Sequence, residues 1–209
     1  MPKINFAENF KTIFQSPAFI VTLIAIIIVV VAIYKFRKVK LTTRMITHIG
    51  IALALSVVLS FIKFVHLPFG GSTTLGSMVP IILLALVYGP EVGFLSGFVY
   101  GLLNLIIDPY IVHPAQLLLD YPFAYMSLGL AGYFRNQKFI APIAAISGRF
   151  IFHFLSGVIF FASDAGTQNV YLYSLTYNGS YLLPELIITL VVIAVLPIER
   201  LSKSLAAAH

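Results

Sequence analysis

The chain has 209 residues, of which 60% are hydrophobic and 10% charged, with a mean hydropathy of +1.01 and a formal charge of +6. This composition predicts an integral membrane protein with room for several spans of ~20 residues and excludes a separate soluble catalytic domain. The absence of cysteine excludes a disulfide framework, a thiolate nucleophile and a thiolate metal site, and the basic residues sit beside apolar runs, where they orient membrane helices rather than bind nucleic acid.

In chain order, residues 1–17 form an extracellular N-terminal segment and residues 18–34 an accessory transmembrane helix. Thr22 is the only polar residue in that run, so the helix is expected to face lipid. Lys3 and Lys11 precede it, but the stronger cluster of Lys35, Arg37, Lys38, Lys40 and Arg44 follows it. That order favours a retained anchor with its N-terminus outside over a cleaved signal peptide, and makes residues 35–44 a basic cytoplasmic linker.

Residues 45–198 form the membrane core, predicted to be all-α with six helices. The first spans 45–65, and residues 66–74 make a loop containing Pro68, Gly70 and Gly71. Residues 75–88 return to the cytoplasm, a Gly89-Pro90-Glu91 turn leads into 92–107, and 108–114 form a second outer loop. The remaining spans are 115–134, 140–162 and 171–196. This topology places Arg135, Lys138, Arg200 and Lys203 inside, as the positive-inside rule requires, and Asp108 and Asp164 in outer loops. Residues 199–209 are a cytoplasmic C-terminus whose Ala206-Ala207-Ala208-His209 resembles a linker and the start of a purification tag.

Asp120 is the most informative side chain. A carboxylate among Leu117, Leu118, Leu119 and Phe123 is costly in a bilayer and should face a cavity and have a partner. Arg149 and His153 lie four residues apart on one helical face, and the last span carries Tyr173, Tyr177, Asn178 and Glu185. By depth, Asp120, Tyr121, His153, Tyr173 and Asn178 converge on a pocket open to the outside. Arg149 and Glu185 share a deeper level, most simply as a structural ion pair. An Asp120 to His153 pair without any ligand stays open on this reasoning.

Three segments carry a family resemblance: Leu67-Pro-Phe-Gly-Gly-Ser-Thr-Thr-Leu-Gly-Ser-Met-Val-Pro80, Gly97-Phe-Val-Tyr-Gly-Leu-Leu-Asn104 and residues 110–132. With the His153-x-x-x-Gly157 and Tyr173-x-x-x-x-Asn178 steps, they resemble the thiamine-specific substrate-binding component of energy-coupling-factor transporters over residues 43–198. The resemblance implies a six-helix fold, a vitamin pocket near the outer surface and a lid after the first core helix. On this chain the acidic ligand position is Asp120, with Tyr121 beside it; His153, Gly157, Tyr173 and Asn178 complete the polar set. The lid is 66–75, including Pro68, Gly70, Gly71 and Ser72. The tryptophans that the family implies are absent, and Phe161 and Tyr100 occupy the positions of stacking rings.

The chemistry suits thiamine, a cationic thiazolium joined to a flat aminopyrimidine; a pyrimidine moiety or a pyridoxine-like ring would use much of the same set. No cofactor and no enzymatic activity are expected. The chain has no Gly-x-x-x-x-Gly-Lys-Ser/Thr phosphate loop, so ATP hydrolysis must come from elsewhere. The resemblance implies a transmembrane coupling subunit and two ATPases as partners. From spacing alone the small residues Ala52 and Ser56 offer equally a docking face for them or a packing face against this chain's own helices, and the resemblance favours docking. Two rival classes remain: an ion-coupled carrier with Asp120, Arg149 and Glu185 as a relay, and an intramembrane enzyme built on Asp120 and His153, which fits no standard catalytic template.

Overall fold

The computed structural model describes residues 17–198 and residue 200. The predicted outer N-terminal segment and the tag-like C-terminus, with Lys3, Lys11 and Lys203, therefore lie outside the described residues apart from residue 17 and residue 200.

The accessory helix α1 spans Pro17–Phe36. The core then runs through α2 (Thr43–Ser60), a hairpin of β1 (Lys63–His66) and β2 (Ser72–Thr74), α3 (Val79–Tyr88), α4 (Pro90–Ile107), α5 (residues 114–134), α6 (Ile140–Phe160) and α7 (Val170–Val195). Local chemistry sets several of these starts. Thr42 Oγ1 accepts from the Met45 amide, and Asn169 Oδ1 accepts from the Tyr171 and Leu172 amides. His113 Nδ1 accepts from Ala115 N, just ahead of Pro114 in the first turn of α5.

Among the described residues, α1, α2, α4, α6 and α7 are continuous helices long and apolar enough to cross a membrane. The other two core rods depart from simple spans. α3 has ten residues, about 15 Å of rise, roughly half of a ~30 Å hydrocarbon core. It is apolar all round and almost wholly buried, so it forms the centre of the bundle and lets the neighbouring helices meet lipid. The chain reaches it through β2 and a buried turn at Ser77 and Met78 instead of a longer helix.

α5 is broken. It starts as Pro114–Leu118, widens to a π-helical turn over Leu119–Phe123, resumes as Ala124–Met126 and tightens to a 3₁₀ helix over Ser127–Phe134. Pro122 explains the widening, because it lacks an N–H and its ring displaces the carbonyl one turn earlier. α4 accommodates the wide turn through Gly101, where an added Cβ would sit 2.5 Å from the Tyr121 carbonyl oxygen.

The predicted first span of 45–65 ends at Ser60, and the hairpin replaces its last residues together with the loop expected over 66–74. Lys63 pairs with Thr74, Val65 with Thr73 and His66 with Ser72, with a bulge between Lys63 and Val65. Its turn is closed by Leu67 N donating to Gly71 O at 2.7 Å. At the opposite end of the bundle, Arg135 Nε donates to Leu86 O at 2.8 Å and Nη2 to Val87 O, capping α3, while Lys138 Nζ donates to Ala194 O near the end of α7.

Candidate ligand-binding cavity

A cavity of about 260 Å³ opens at the hairpin end of the bundle. It is slightly smaller than the ~300–1,000 Å³ usual for small-molecule sites, a size for a compact ligand. Its walls come from the hairpin, the 108–110 segment, the π turn of α5, α6 and the first half of α7. Along α6 the lining residues Arg149, His153, Ser156, Gly157 and Phe161 run from deep to shallow over about 18 Å.

Asp120 anchors the polar wall. Its Oδ1 lies 3.0 Å from His153 Nδ1, and its Oδ2 accepts from Ser156 Oγ at 2.8 Å and from Gln116 Nε2 at 2.7 Å. Arg149 Nε donates to His153 Nε2 at 3.1 Å. That contact makes Nε2 the acceptor, so the neutral imidazole carries its proton on Nδ1 and donates it to Asp120. Arg149, His153 and Asp120 thus form one relay whose end charges cancel. Three donors occupy the roughly four lone-pair sites of the carboxylate, leaving it one for a ligand.

Arg149 is 7% exposed, and its other nitrogens meet Met78 Sδ at 3.0 Å and the Tyr125 hydroxyl at 3.1 Å. Its guanidinium also lies over the Tyr125 ring, 4.3 Å from the centroid. The expected Arg149–Glu185 ion pair does not form. Glu185 is buried and turns to the hairpin instead, where Oε2 accepts from Thr74 N at 2.5 Å and Oε1 from Thr74 Oγ1 at 2.7 Å. The physical reason is that a backbone N–H and a hydroxyl in low dielectric satisfy a carboxylate as well as a distant cation, and the relay already neutralises Arg149.

The hairpin is tied to α7 at two further points. Thr73 Oγ1 donates to Tyr181 O at 2.9 Å, and the Tyr177 hydroxyl accepts from Gly71 N at 3.1 Å while donating to Pro68 O. A Cβ at Gly71 would lie 2.8 Å from the Tyr177 hydroxyl and 2.9 Å from Tyr181 Cδ1, so only glycine allows this approach. Of the lid residues expected from sequence, Gly70, Gly71 and Ser72 line the cavity, and Pro68 contributes its carbonyl as the acceptor for Tyr177.

The outer part of the cavity is aromatic. Phe69, Tyr110, Phe161, Tyr173 and Tyr177 all line it. Phe69 contacts Tyr110, Phe161 and Tyr177 at ring-centroid distances of 5.9, 6.1 and 6.2 Å, and Tyr110 stacks near Phe161 at 6.1 Å. Phe69 adopts φ 62° and ψ 19°, a left-handed conformation that costs a non-glycine residue roughly 1–2 kcal/mol. At the rim, Lys63 Nζ and Asp108 Oδ2 form an ion pair of 2.5 Å between the hairpin and the end of α4.

Several expected site residues line this cavity with their hydrogen bonds already committed. The Tyr121 hydroxyl accepts from Tyr110 N at 2.7 Å and donates to Asp108 O at 2.9 Å, so it pins the rim while its ring faces inward. Asn178 Nδ2 donates to Ser174 O at 2.9 Å and to His153 O at 3.3 Å, and its Oδ1 accepts from Tyr181 at 2.8 Å. It joins α6 to α7, and Gly157 lines the cavity at that same junction.

Two assignments are corrected. Tyr100 does not line the cavity: it is fully buried, donates to Ser56 O at 3.2 Å and packs edge-on against Tyr125 at 4.9 Å. Ala52 and Ser56 are not a free docking face, since at 8% and 0% exposure they are covered by this chain's own helices, which their small side chains allow to approach. Sequence reasoning missed Gln116, Ser156, Phe69 and Tyr110. Gln116 was findable, four residues before Asp120 on the same face. Phe69 was not, because its role depends on a backbone angle.

The profile of the thiamine transporter protein family (Thia_YuaJ) matches residues 46–205. The chain is 34% identical over 180 residues to the thiamine transporter ThiT of Bacillus subtilis (strain 168), covering 75% of this chain and 93% of that protein. It is 33% identical over 141 residues to thiamine transporter ThiT of Lacticaseibacillus paracasei, covering 57% of this chain and 70% of that one. A solved structure of ThiT from Listeria monocytogenes superposes with a TM-score of 0.68 at 23% identity, covering 77% of this chain and 96% of the other, and shows the shared fold.

Proposed function

The chain belongs to the thiamine transporter protein family, and from that premise we propose that it is the membrane-embedded thiamine-binding subunit of an importer, not an enzyme. One observation carries the assignment to the cavity: a single space joins a hydrogen-bonding wall at Asp120, His153, Ser156 and Arg149 to a ring of aromatic faces at Phe69, Tyr110, Phe161, Tyr173 and Tyr177. Thiamine needs both, since its aminopyrimidine has donor and acceptor edges and its thiazolium carries a permanent charge.

In this reading the aromatic faces hold the thiazolium and the polar wall holds the pyrimidine edge. Aromatic rings stabilise a desolvated cation by about 2 kcal/mol or more when several faces converge, which offsets the smaller area of Phe and Tyr relative to Trp. The carboxylate of Asp120 is partly neutralised by Arg149 through His153, so it acts as an oriented acceptor more than as a bare counter-charge. His153, in the Nδ1–H tautomer, fixes that orientation.

The cavity end carries the rim pair and the hairpin, and the other end carries Arg135, Lys138 and the basic linker. The positive-inside rule then sets the cavity toward the outside and the basic end toward the cytoplasm. With no phosphate loop in the chain, transport would be driven by a coupling subunit and two ATPases of the energy-coupling-factor type.

Calorimetric titration of the purified protein against thiamine, pyridoxine and the free hydroxymethylpyrimidine tests the assignment. Thiamine is expected to bind most tightly, and Asp120→Asn to weaken it at least tenfold, about 1.4 kcal/mol, in a protein that stays folded in detergent. Unchanged affinity in that variant would remove Asp120 from the site, and a preference for pyridoxine would reassign the substrate.

A further inference from the structure

The helix α1 lies outside the segment shared with the family profile, which begins at residue 46, and its packing gives it a task. Ala18, Ala25 and Ala32 recur every seven residues along it, and Phe36 extends the same side to contact Phe98 at 5.7 Å. Such a spacing puts small side chains on one seam and allows close approach to a neighbouring helix. Ala25 and Ala32 are buried, at 1% and 8% exposure, whereas Ile24, Ile27 and Val30 on the other side are about half exposed or more. The polar Thr22 is satisfied within the helix, its hydroxyl donating to Ala18 O at 2.7 Å.

What the seam covers is the back of the ligand cavity. Ala25 forms a buried cluster with Leu119 and Phe123, and Leu118, Phe152 and Phe160 pack around it. This cluster is separate from the main core around α3. Leu119 precedes Asp120 in the π turn, and Phe160 precedes Phe161 at the end of α6. Both residues that follow line the cavity. The helix therefore presses from the lipid side on the two segments whose opposite faces carry Asp120, His153, Ser156 and Phe161.

The π turn is where such support matters. Around Pro122 the regular ladder of helix hydrogen bonds is interrupted, so the position of Leu119–Phe123 is set by what packs against it. α4 closes on one side through Gly101, and α1 closes the other through Ala25. Lipid chains would cover Leu119 and Phe123 with equal apolarity but with no fixed shape, so losing the seam costs geometry more than burial.

We propose that α1 is a positioning element of the binding site, in which Ala25 seats the π turn and so holds Asp120 in register with His153 and Ser156. This rests on the cavity being the ligand site, and the test separates the two ideas. In the full-length chain, Ala25→Leu wedges the seam, Ala25→Leu with Leu119→Ala restores the volume, and Ile24→Ala alters only the lipid face. Each is titrated with thiamine, and the ¹⁵N-labelled, ligand-free proteins are compared for the His153 Nδ1–H resonance, assigned with His153→Gln.

Ala25→Leu should weaken thiamine at least tenfold and shift or broaden the His153 signal. The double variant should return to within about threefold of the parent, and Ile24→Ala should match the parent in both readouts. A folded Ala25→Leu protein with parental affinity and an unchanged His153 resonance would overturn the proposal. Should Ala25→Leu fail to fold, Ala25→Gly decides: removing the one methyl at the seam is expected to weaken binding several-fold, and parental behaviour in both readouts would overturn it. If the parent itself binds no thiamine while the seam variants still move the His153 signal, the substrate assignment fails and the positioning role stands.

Discussion

Phe69 bears a left-handed backbone at φ 62° and a ring seated among Tyr110, Phe161 and Tyr177. The strain is retained because the ring closes the aromatic part of the cavity. Its two contributions separate in a pair of variants. Phe69→Ala loses the ring and keeps most of the strain, so thiamine should leave at least tenfold faster, measured by stopped-flow tyrosine fluorescence in this Trp-free chain. Phe69→Gly loses both, so it should release thiamine equally fast while gaining about 1 kcal/mol of stability over Phe69→Ala. Equal release from the parent and both variants would mean the ring does not retain the ligand. Residue identity revealed Asp120, since a carboxylate in an apolar run has few innocent explanations, and the four-residue step made the Arg149 to His153 contact legible. Gly70, at φ 89°, turns left-handed as a glycine readily does, but nothing in the letters Pro-Phe-Gly-Gly marks the preceding Phe69 as doing the same.

At the scale of elements, the hairpin and α7 are one unit. Tyr177, Tyr181 and Glu185 recur every four residues on α7, and each meets the 68–74 segment: the Tyr177 hydroxyl at Gly71 and Pro68, the Tyr181 carbonyl at Thr73, and Glu185 at Thr74. Glu185 makes the deepest of these ties, with a carboxylate accepting both a backbone amide and a hydroxyl from one residue. Charge-assisted bonds of this kind contribute roughly 1.5–3 kcal/mol. Glu185→Gln replaces one acceptor with a donor facing Thr74, so the amides of residues 72–74 should exchange with solvent deuterium at least tenfold faster, with the rest of the core unchanged. Exchange at the parental rate would show that the hairpin is held by the tyrosines alone. The apolar runs marked where helices pass, but not that α3 is half a span or that Glu185 serves the hairpin. Charge pattern alone pairs Glu185 with Arg149 because an opposite charge is visible in sequence, whereas a backbone amide that folding carries across 111 positions is not.

Across the described residues, the cavity sits at one end of the bundle and Arg135, Lys138 and the basic linker at the other. The relay of Arg149, His153 and Asp120 is closed on itself, and Glu185 belongs to the hairpin, so among the described residues these side chains form no ionisable path from the cavity to the basic end. The deep wall ends at Arg149, Tyr125 and Met78, beneath which α3 fills the centre with apolar side chains. A carrier working alone by moving protons or ions would need a polar path through that centre, since an unpaired charge there costs several kcal/mol. The protein should therefore bind thiamine tightly in isolation yet move none of it. Proteoliposomes holding this chain alone, under an imposed proton or sodium gradient, should accumulate no more labelled thiamine than protein-free vesicles. Vesicles that also hold the proposed coupling subunit and ATPases should accumulate it only with ATP. Gradient-driven uptake by the single chain would instead require the apolar centre around α3 to open, and would return Asp120, Arg149 and Glu185 to the role of an ion relay.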